Sequence, residues 1–187
     1  MPFDFSGKKV LVTGAGGGIG RALAIALNES GCKVYALSRT KSTLDSLVAE
    51  NPKIVPIVAD VSNWDDTRSK LEDLEPIDGA FGTNLAYNVS KAGLDMVTKQ
   101  FALELGQYQI RVNSVNPTLV MTSMIKNLKN GLLLEKDFIA RTPMGRIAKV
   151  EEIVGPIMYL LSDYSSMVSG QMHPVDGGLL SNIAVKV

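Results

Sequence analysis

The eight residues from Thr13 to Gly20, TGAGGGIG, constrain the fold more than any other stretch. They follow Lys9 to Thr13, a short run of β-formers, and lead into Ile19 to Ser30, where Ile19, Leu23, Ala26 and Leu27 share one face at helical spacing. Gly31 stops that helix, and Lys33 to Leu37 is the next apolar run. Strand, tight turn, helix and strand make a βαβ unit, whose strands are parallel. Glycines let the backbone turn sharply and approach a pyrophosphate, whose charge then meets the free N–H groups and positive dipole end of the helix. Gly14, Gly18 and Gly20, with Ile19 opening the helix, are the residues expected there. A glycine-rich turn that binds nothing is the alternative, and the flanking strand, helix and second strand favour the nucleotide cofactor.

The alternation continues beyond this unit. Thr43 to Glu50 reads as a helix, Ile54 to Asp60 as a third strand and Trp64 to Leu74 as a third helix before Pro76. Val89 to Leu105 reads as a long helix, Arg111 to Val115 as a strand, Glu151 to Ser162 as a helix and Met172 to Val175 as a final strand. Strands alternating with helices predict an α/β fold on a parallel sheet. At 187 residues and 45% hydrophobic content the chain has the size and core of one domain. Lysines plus arginines equal aspartates plus glutamates, so no charge excess points to nucleic acid or an anionic membrane, and small-molecule chemistry gains by elimination. Cys32 is the only cysteine and His173 the only histidine, which leaves no disulfide framework and no zinc cluster; Cys32 reads as packing and His173 as structural. With no signal-like start and no apolar run long enough for a membrane span, the expected compartment is the cytoplasm.

The end of the second strand decides the cofactor. An acidic residue there would hold both ribose hydroxyls and repel a 2′-phosphate, whereas this chain has Ser38-Arg39-Thr40. A guanidinium pairs with a 2′-phosphate through charge-assisted, bidentate bonds, so Arg39 favours NADP(H), a solvated surface arginine being the alternative. Asp60 and Val61, ending the third strand, are placed to hold the adenine edge, although a turn-forming Asp60 fits nearly as well. Tyr87 and Lys91 stand four apart, and a helix would stack them on one face. An ammonium beside a phenol favours the phenolate and lowers the tyrosine pKa, as a proton donor to a carbonyl oxygen requires. Any amphipathic helix can carry that pair, so it gains weight only beside the glycine turn.

Taken together, TGAGGGIG, YNVSK and IRVNSVNPTLVMTSM, in this order, resemble the short-chain dehydrogenase/reductase family. Finer stretches, LSRT, ALELGQYQIRVNSVNPTLVMTSM and HPVDGG, resemble its branch of L-xylulose (dicarbonyl) reductases and tetrameric carbonyl reductases. The likeness covers almost everything outside residues 79 to 86. It implies a Rossmann-like doubly wound sheet, with Gly14, Gly18 and Gly20 on the pyrophosphate, Arg39 on the 2′-phosphate, and Asp60 and Val61 on the adenine. It implies that Tyr87 is the acid/base and that Lys91 binds the nicotinamide ribose and tunes Tyr87. The loop Pro117 to Thr122, through Val120, would cover the nicotinamide, with Thr122 as a carboxamide partner and Met121 and Met124 near the substrate. It also implies a homotetramer of D2 symmetry, with the apolar run through Leu179 and Leu180 at an interface. Gly17 departs from the family, since NADP-preferring members often place a lysine or arginine there, and Arg39 carries the NADP inference nearly alone.

A larger departure lies between Gly79 and Tyr87. Family members continue from this strand into an asparagine-rich turn, a long helix and a further strand bearing a catalytic serine before the tyrosine. Two strand–helix segments of ~30 residues each give a gap of about 60 residues. Asn84 matches the family's structural asparagine only if Phe81 to Leu85 is a remnant of that helix, and Thr83, the one hydroxyl in the junction, is not assigned the serine's role. Either the native polypeptide carries further residues here, or the chain is a naturally shortened product; the intact look of both flanks favours the first. The implied function is NADPH-dependent reduction of L-xylulose or a small α-dicarbonyl. A non-catalytic NADP-binding or interaction subunit is the alternative if the junction is genuine, and a methyltransferase reading of the glycine turn is disfavoured by Arg39.

Overall fold

The computed structural model describes residues 3–71, 79–81, 89–122 and 131–181. Two compact units are seen, Met1–Leu85 and Ala86–Val187. The first unit runs β1 (Lys9–Thr13), α1 (Gly18–Glu29), β2 (Lys33–Ser38), α2 (Lys41–Glu50), β3 (Val55–Val58), α3 (Trp64–Leu71) and β4 (Gly79–Phe81). Its four strands form one parallel sheet in the order β3-β2-β1-β4. That order is the first half of a doubly wound nucleotide-binding sheet with its next strand added.

Register explains the core. Leu11 pairs with Tyr35 and Tyr35 with Val55, while Leu37 pairs with Ile57, so alternate positions put these side chains on one face. There Leu11, Tyr35, Leu37, Ile57 and Ala59 form a buried cluster, with Val55 and Leu71 packed against it. Val10, Val12, Val34 and Ala36 on the alternating positions are equally buried, so the strands read as continuous apolar runs, as parallel strands covered on both faces must. α1 packs on β1 and β2 and α2 on β2 and β3; Leu23, Leu27, Leu44 and Leu47 are fully buried, each burial stabilising by ~1.5–3 kcal/mol.

The second unit contains α4 (Val89–Leu105), β5 (Ser114–Pro117), α5 (Gly131–Arg141), α6 (Val150–Leu161) and β6 (Met172–Val175), with short 3-10 turns at Gly106–Tyr108, Asp163–Ser165 and Leu179–Ser181. β5 and β6 pair in parallel, Ser114 with Met172 through Pro117 with Val175.

Several boundaries depart from expectation. The third strand is Val55–Val58 rather than Ile54 to Asp60, because Asp60 is drawn into a turn, its carboxylate accepting the backbone N–H and the hydroxyl of Ser62 at 3.0 and 2.7 Å. β5 begins at Ser114 rather than Arg111, because the preceding residues bond to a loop instead of a strand. Arg111 donates to the carbonyls of Val168 and Ser162, the Val112 N–H donates to the Ser169 hydroxyl, and the Asn113 amide donates to the Val168 carbonyl. α5 has no counterpart among the elements expected from the sequence, although Leu134 and Phe138 stand four apart within it. Among the described residues, no helix is long and apolar enough to cross a membrane.

Candidate functional site

The first unit gathers the expected phosphate-binding residues at the carboxyl ends of β1 and β2, where open α/β sheets bind ligands. Gly14 and Gly18 have φ of +70° and +54°, a left-handed backbone that side chains other than glycine rarely adopt. A Cβ on Gly20 would meet the Gly14 carbonyl oxygen at 2.5 Å, so α1 can approach the turn this closely only through glycine. The helix starts at Gly18, with Gly17 as its cap and no side chain bonded to the cap position. Its first-turn N–H groups therefore remain available to an anion. The turn is tied to β2 by the Ala15 N–H, which donates to the Leu37 carbonyl at 3.1 Å.

Gly16 carries no signal of its own in the sequence, where it is one of a glycine run and falls outside the usual spacing. A Cβ there would strike the Thr43 Oγ1 and would come within 2.7 Å of the Ser38 Oγ. The turn, the end of β2 and the first turn of α2 thus meet at one point. This cradle, closed to a side chain at Gly20 and narrow at Gly16, fits a dinucleotide pyrophosphate. Gly20→Ala should accordingly weaken cofactor binding at least tenfold and lower the melting temperature, overpacking of this kind costing ~1–3 kcal/mol; titration of NADPH fluorescence and a thermal melt check both.

Ser38 ends β2 half-buried, while Arg39 and Thr40 are exposed immediately before α2. The Thr43 hydroxyl donates to the Thr40 carbonyl at 2.7 Å and fixes this corner. Arg39 lies within electrostatic reach of Asp60. The backbone N–H and then the hydroxyl of Ser62 hold the Asp60 carboxyl below its ordinary value, with the Arg39 charge adding to the same effect. Asp60 therefore acts as a turn former. Val61 beside it is 48% exposed.

In the second unit, the loop after β5 is held on several bonds. The Thr118 N–H donates to the Val175 carbonyl, the Ala148 N–H to the Leu119 carbonyl and the Met121 N–H to the Ala148 carbonyl, each at 3.2 Å. The Thr122 N–H donates to the Val120 carbonyl at 2.7 Å, and Val120 is buried. Pro117, Val120 and Thr122 are thus brought together on one fixed loop at the carboxyl end of β5. Thr118 lines a small cavity of about 100 Å³ with Met144, Arg146, Glu152 and Val175. Beside it Arg146 grips Glu152 through two bonds of 2.7 Å, and the Lys149 N–H donates to the same carboxylate at 2.9 Å. The Arg146 bonds lead in holding the Glu152 carboxyl down at about 2. Because its pKa is depressed, the stabilisation is present above the ordinary carboxylate value and is lost only as the pH falls toward about 2.

Lys91 belongs to α4. Tyr87, Thr83 and Asn84, together with Met124, lie outside the described residues, as does the Lys91 side chain. The buried Cys32 thiol donates to the Lys8 carbonyl at 3.2 Å, in keeping with a packing role.

Comparison with known proteins extends these observations. Residues 8–80 match the family model described as short chain dehydrogenase, and residues 75–180 match the one described as enoyl-(acyl carrier protein) reductase. The chain is similar to L-xylulose reductase of Homo sapiens, 35% identical over 240 aligned positions that cover 95% of this chain and 98% of the relative. It is similar to L-xylulose reductase of Mus musculus, 33% identical over 243 positions covering 97% and 100%. It also resembles carbonyl reductase (NADPH) 2 of Sus scrofa, 33% identical over 244 positions covering 97% and 100%. In fold it is similar to a short-chain type dehydrogenase/reductase from Mycobacterium ulcerans, with a TM-score of 0.84 at 24% identity over 95% of this chain and 91% of that one. A crystal structure from Agrobacterium tumefaciens gives a TM-score of 0.87 at 24% identity over 97% and 99%. An alignment of 243 positions cannot be filled by 187 residues, and subtracting the one from the other leaves at least 56 positions without a residue of this chain. The two family models meet at residues 75–80, directly before the Gly79-to-Tyr87 junction.

Proposed function

This chain belongs to the short-chain dehydrogenase/reductase family, and from that premise we propose that it reduces a small carbonyl compound, L-xylulose or an α-dicarbonyl, at the expense of NADPH. It is an oxidoreductase by family; the substrate and the cofactor are the proposal. The observation that carries the cofactor is Arg39, exposed at the carboxyl end of β2 beside the glycine cradle, where a carboxylate would favour NAD(H). Gly14, Gly16, Gly18, Ile19 and Gly20 would take the pyrophosphate, Ser38, Arg39 and Thr40 the 2′-phosphate, and Asp60 and Val61 the adenine end. Pro117, Val120 and Thr122 would lie against the nicotinamide. When bound, the dihydronicotinamide supplies the hydride.

The residues of this chain supply the rest. Tyr87 gives its phenolic proton to the carbonyl oxygen as negative charge develops there, and the resulting phenolate is reprotonated from solvent. Lys91 keeps that phenolate accessible by its charge and holds the nicotinamide ribose. The substrate class is supported by the L-xylulose and carbonyl reductases the chain is similar to. The two units are read as halves of one NADP-binding domain, and the working form as a cytoplasmic homotetramer. A second reading, an NADP-binding protein without catalysis, is favoured by the 56 or more unfilled positions.

Arg39→Asp tests the cofactor assignment. Bonds to charged groups are worth ~1.5–3 kcal/mol, so the substitution should weaken NADPH about tenfold to a hundredfold while leaving NADH nearly unchanged. Dissociation constants for both nucleotides measure this, and unaltered discrimination would remove Arg39 from the site.

A further inference from the structure

Arg21 stands on the first turn of α1, with 21% of its side chain exposed. Its guanidinium reaches α2 at three places: it donates to the Thr43 carbonyl at 3.3 Å and the Ser46 hydroxyl at 3.4 Å, and pairs with the Glu50 carboxylate at 2.9 Å. Thr43, Ser46 and Glu50 are spaced by three and four residues, so they share one face of α2. One planar cation therefore grips most of the length of that helix. The two helices it joins begin at the two phosphate-binding points: α1 starts at the glycine turn, and α2 starts two residues after Arg39.

We infer that Arg21 is a positioning residue for cofactor choice, holding α2 and the Arg39 corner at the separation from the glycine turn that a 2′-phosphorylated ribose requires. This rests on the proposal that the cradle binds NADPH. Two parts of the site answer differently to loss of the grip. The glycine turn has anchors of its own on β1 and β2, the Ala15-to-Leu37 bond and the contact of Gly20 with Gly14, and it meets α2 through Thr43 beside Gly16. The Arg39 corner leads directly into α2 and moves with it. A displacement of α2 therefore costs the 2′-phosphate its partner and leaves the pyrophosphate bound. Arg21 does not act as a phosphate ligand itself, since its charge is already matched by Glu50.

The test is the affinity of the full chain for NADPH and for NADH, by fluorescence titration, in Arg21→Gln, Arg21→Lys, Glu50→Gln and the Arg21→Gln/Glu50→Gln pair. Arg21→Gln and Glu50→Gln should each weaken NADPH about tenfold and change NADH less than about twofold, and the pair should be no worse than either alone. Arg21→Lys, which keeps the Glu50 pair, should recover part of the loss. Tighter NADPH binding in Glu50→Gln would overturn the inference, because freeing Arg21 would then have made it a direct phosphate ligand. Equal losses for both nucleotides, or no loss, would overturn it as well. Arg39→Asp measured alongside separates the two levels: if it leaves discrimination unchanged, the NADPH reading itself fails, whereas a shift there with silent Arg21 and Glu50 variants refutes only the positioning role.

Discussion

Tyr87→Phe is expected to lower the turnover of an α-dicarbonyl with NADPH by about a hundredfold or more, since a positioned general acid contributes ~10²–10⁴ in rate. The ring remains and only the transferable proton is lost. NADPH affinity should therefore stay within about twofold, because the phosphate and adenine contacts lie elsewhere on the chain. The contrast between a collapsed kcat and an intact dissociation constant separates an acid from a residue that merely packs. A variant keeping most of its kcat would remove Tyr87 from the chemistry. Loss of Lys91, by contrast, would affect both ribose binding and the phenol.

The second large effect concerns the junction before Tyr87. Among the described residues β4 is three residues long and pairs only with β1, and β5 pairs only with β6. On α4 the side chains of Leu94, Met96, Val97, Phe101 and Leu103 are between 37 and 77% exposed. On another face of that helix Thr98 is buried and Asp95, Ala102 and Leu105 are half-buried. A helix apolar on several faces belongs in an interior, and open strand edges and exposed apolar surface are each sites of aggregation. The unfilled alignment positions are about the length of two strand–helix segments, which would extend the sheet, cover α4 and bring the serine that orients the carbonyl. A polypeptide joined directly across the junction is accordingly expected to aggregate and to show no reductase activity; one carrying such a segment is expected to stay in solution. Light scattering and a dicarbonyl assay on the two polypeptides compare them.

How much of this was legible in the sequence follows from local physics. β1, α1 and β2 are legible nearly to the residue because glycines punctuate both ends of the helix: Gly14 and Gly18 need positive φ, and so does Gly31 at +86°. Where side chains compete with the ladder, the boundaries slip, as at Asp60 and at Arg111 to Asn113. Gly16 is hidden by its neighbours, since its tight fit comes from Ser38 and Thr43, more than twenty residues away. The grip of Arg21 on α2 is likewise invisible without the packing of the two helices. α5 is hard to read because it opens on a glycine, the poorest helix former after proline, although Asn130 before it is a capping type. The break expected between Gly79 and Tyr87 rests on the order of motifs, because strand and helix patterns are intact on either side of it.

On the proposed function, this chain carries a reductase's cofactor cradle and acid, while the strand that bears the serine belongs to a segment outside its 187 residues. Intact-mass measurement of the active native protein, with peptides mapped across Gly79 to Tyr87, tests it most directly. The predicted result is a mass well above 20.1 kDa, with the added sequence in that interval containing an asparagine-rich turn and a serine on the strand before the tyrosine. A soluble, active reductase of 20.1 kDa, with Gly79 to Tyr87 read through unbroken, would contradict it.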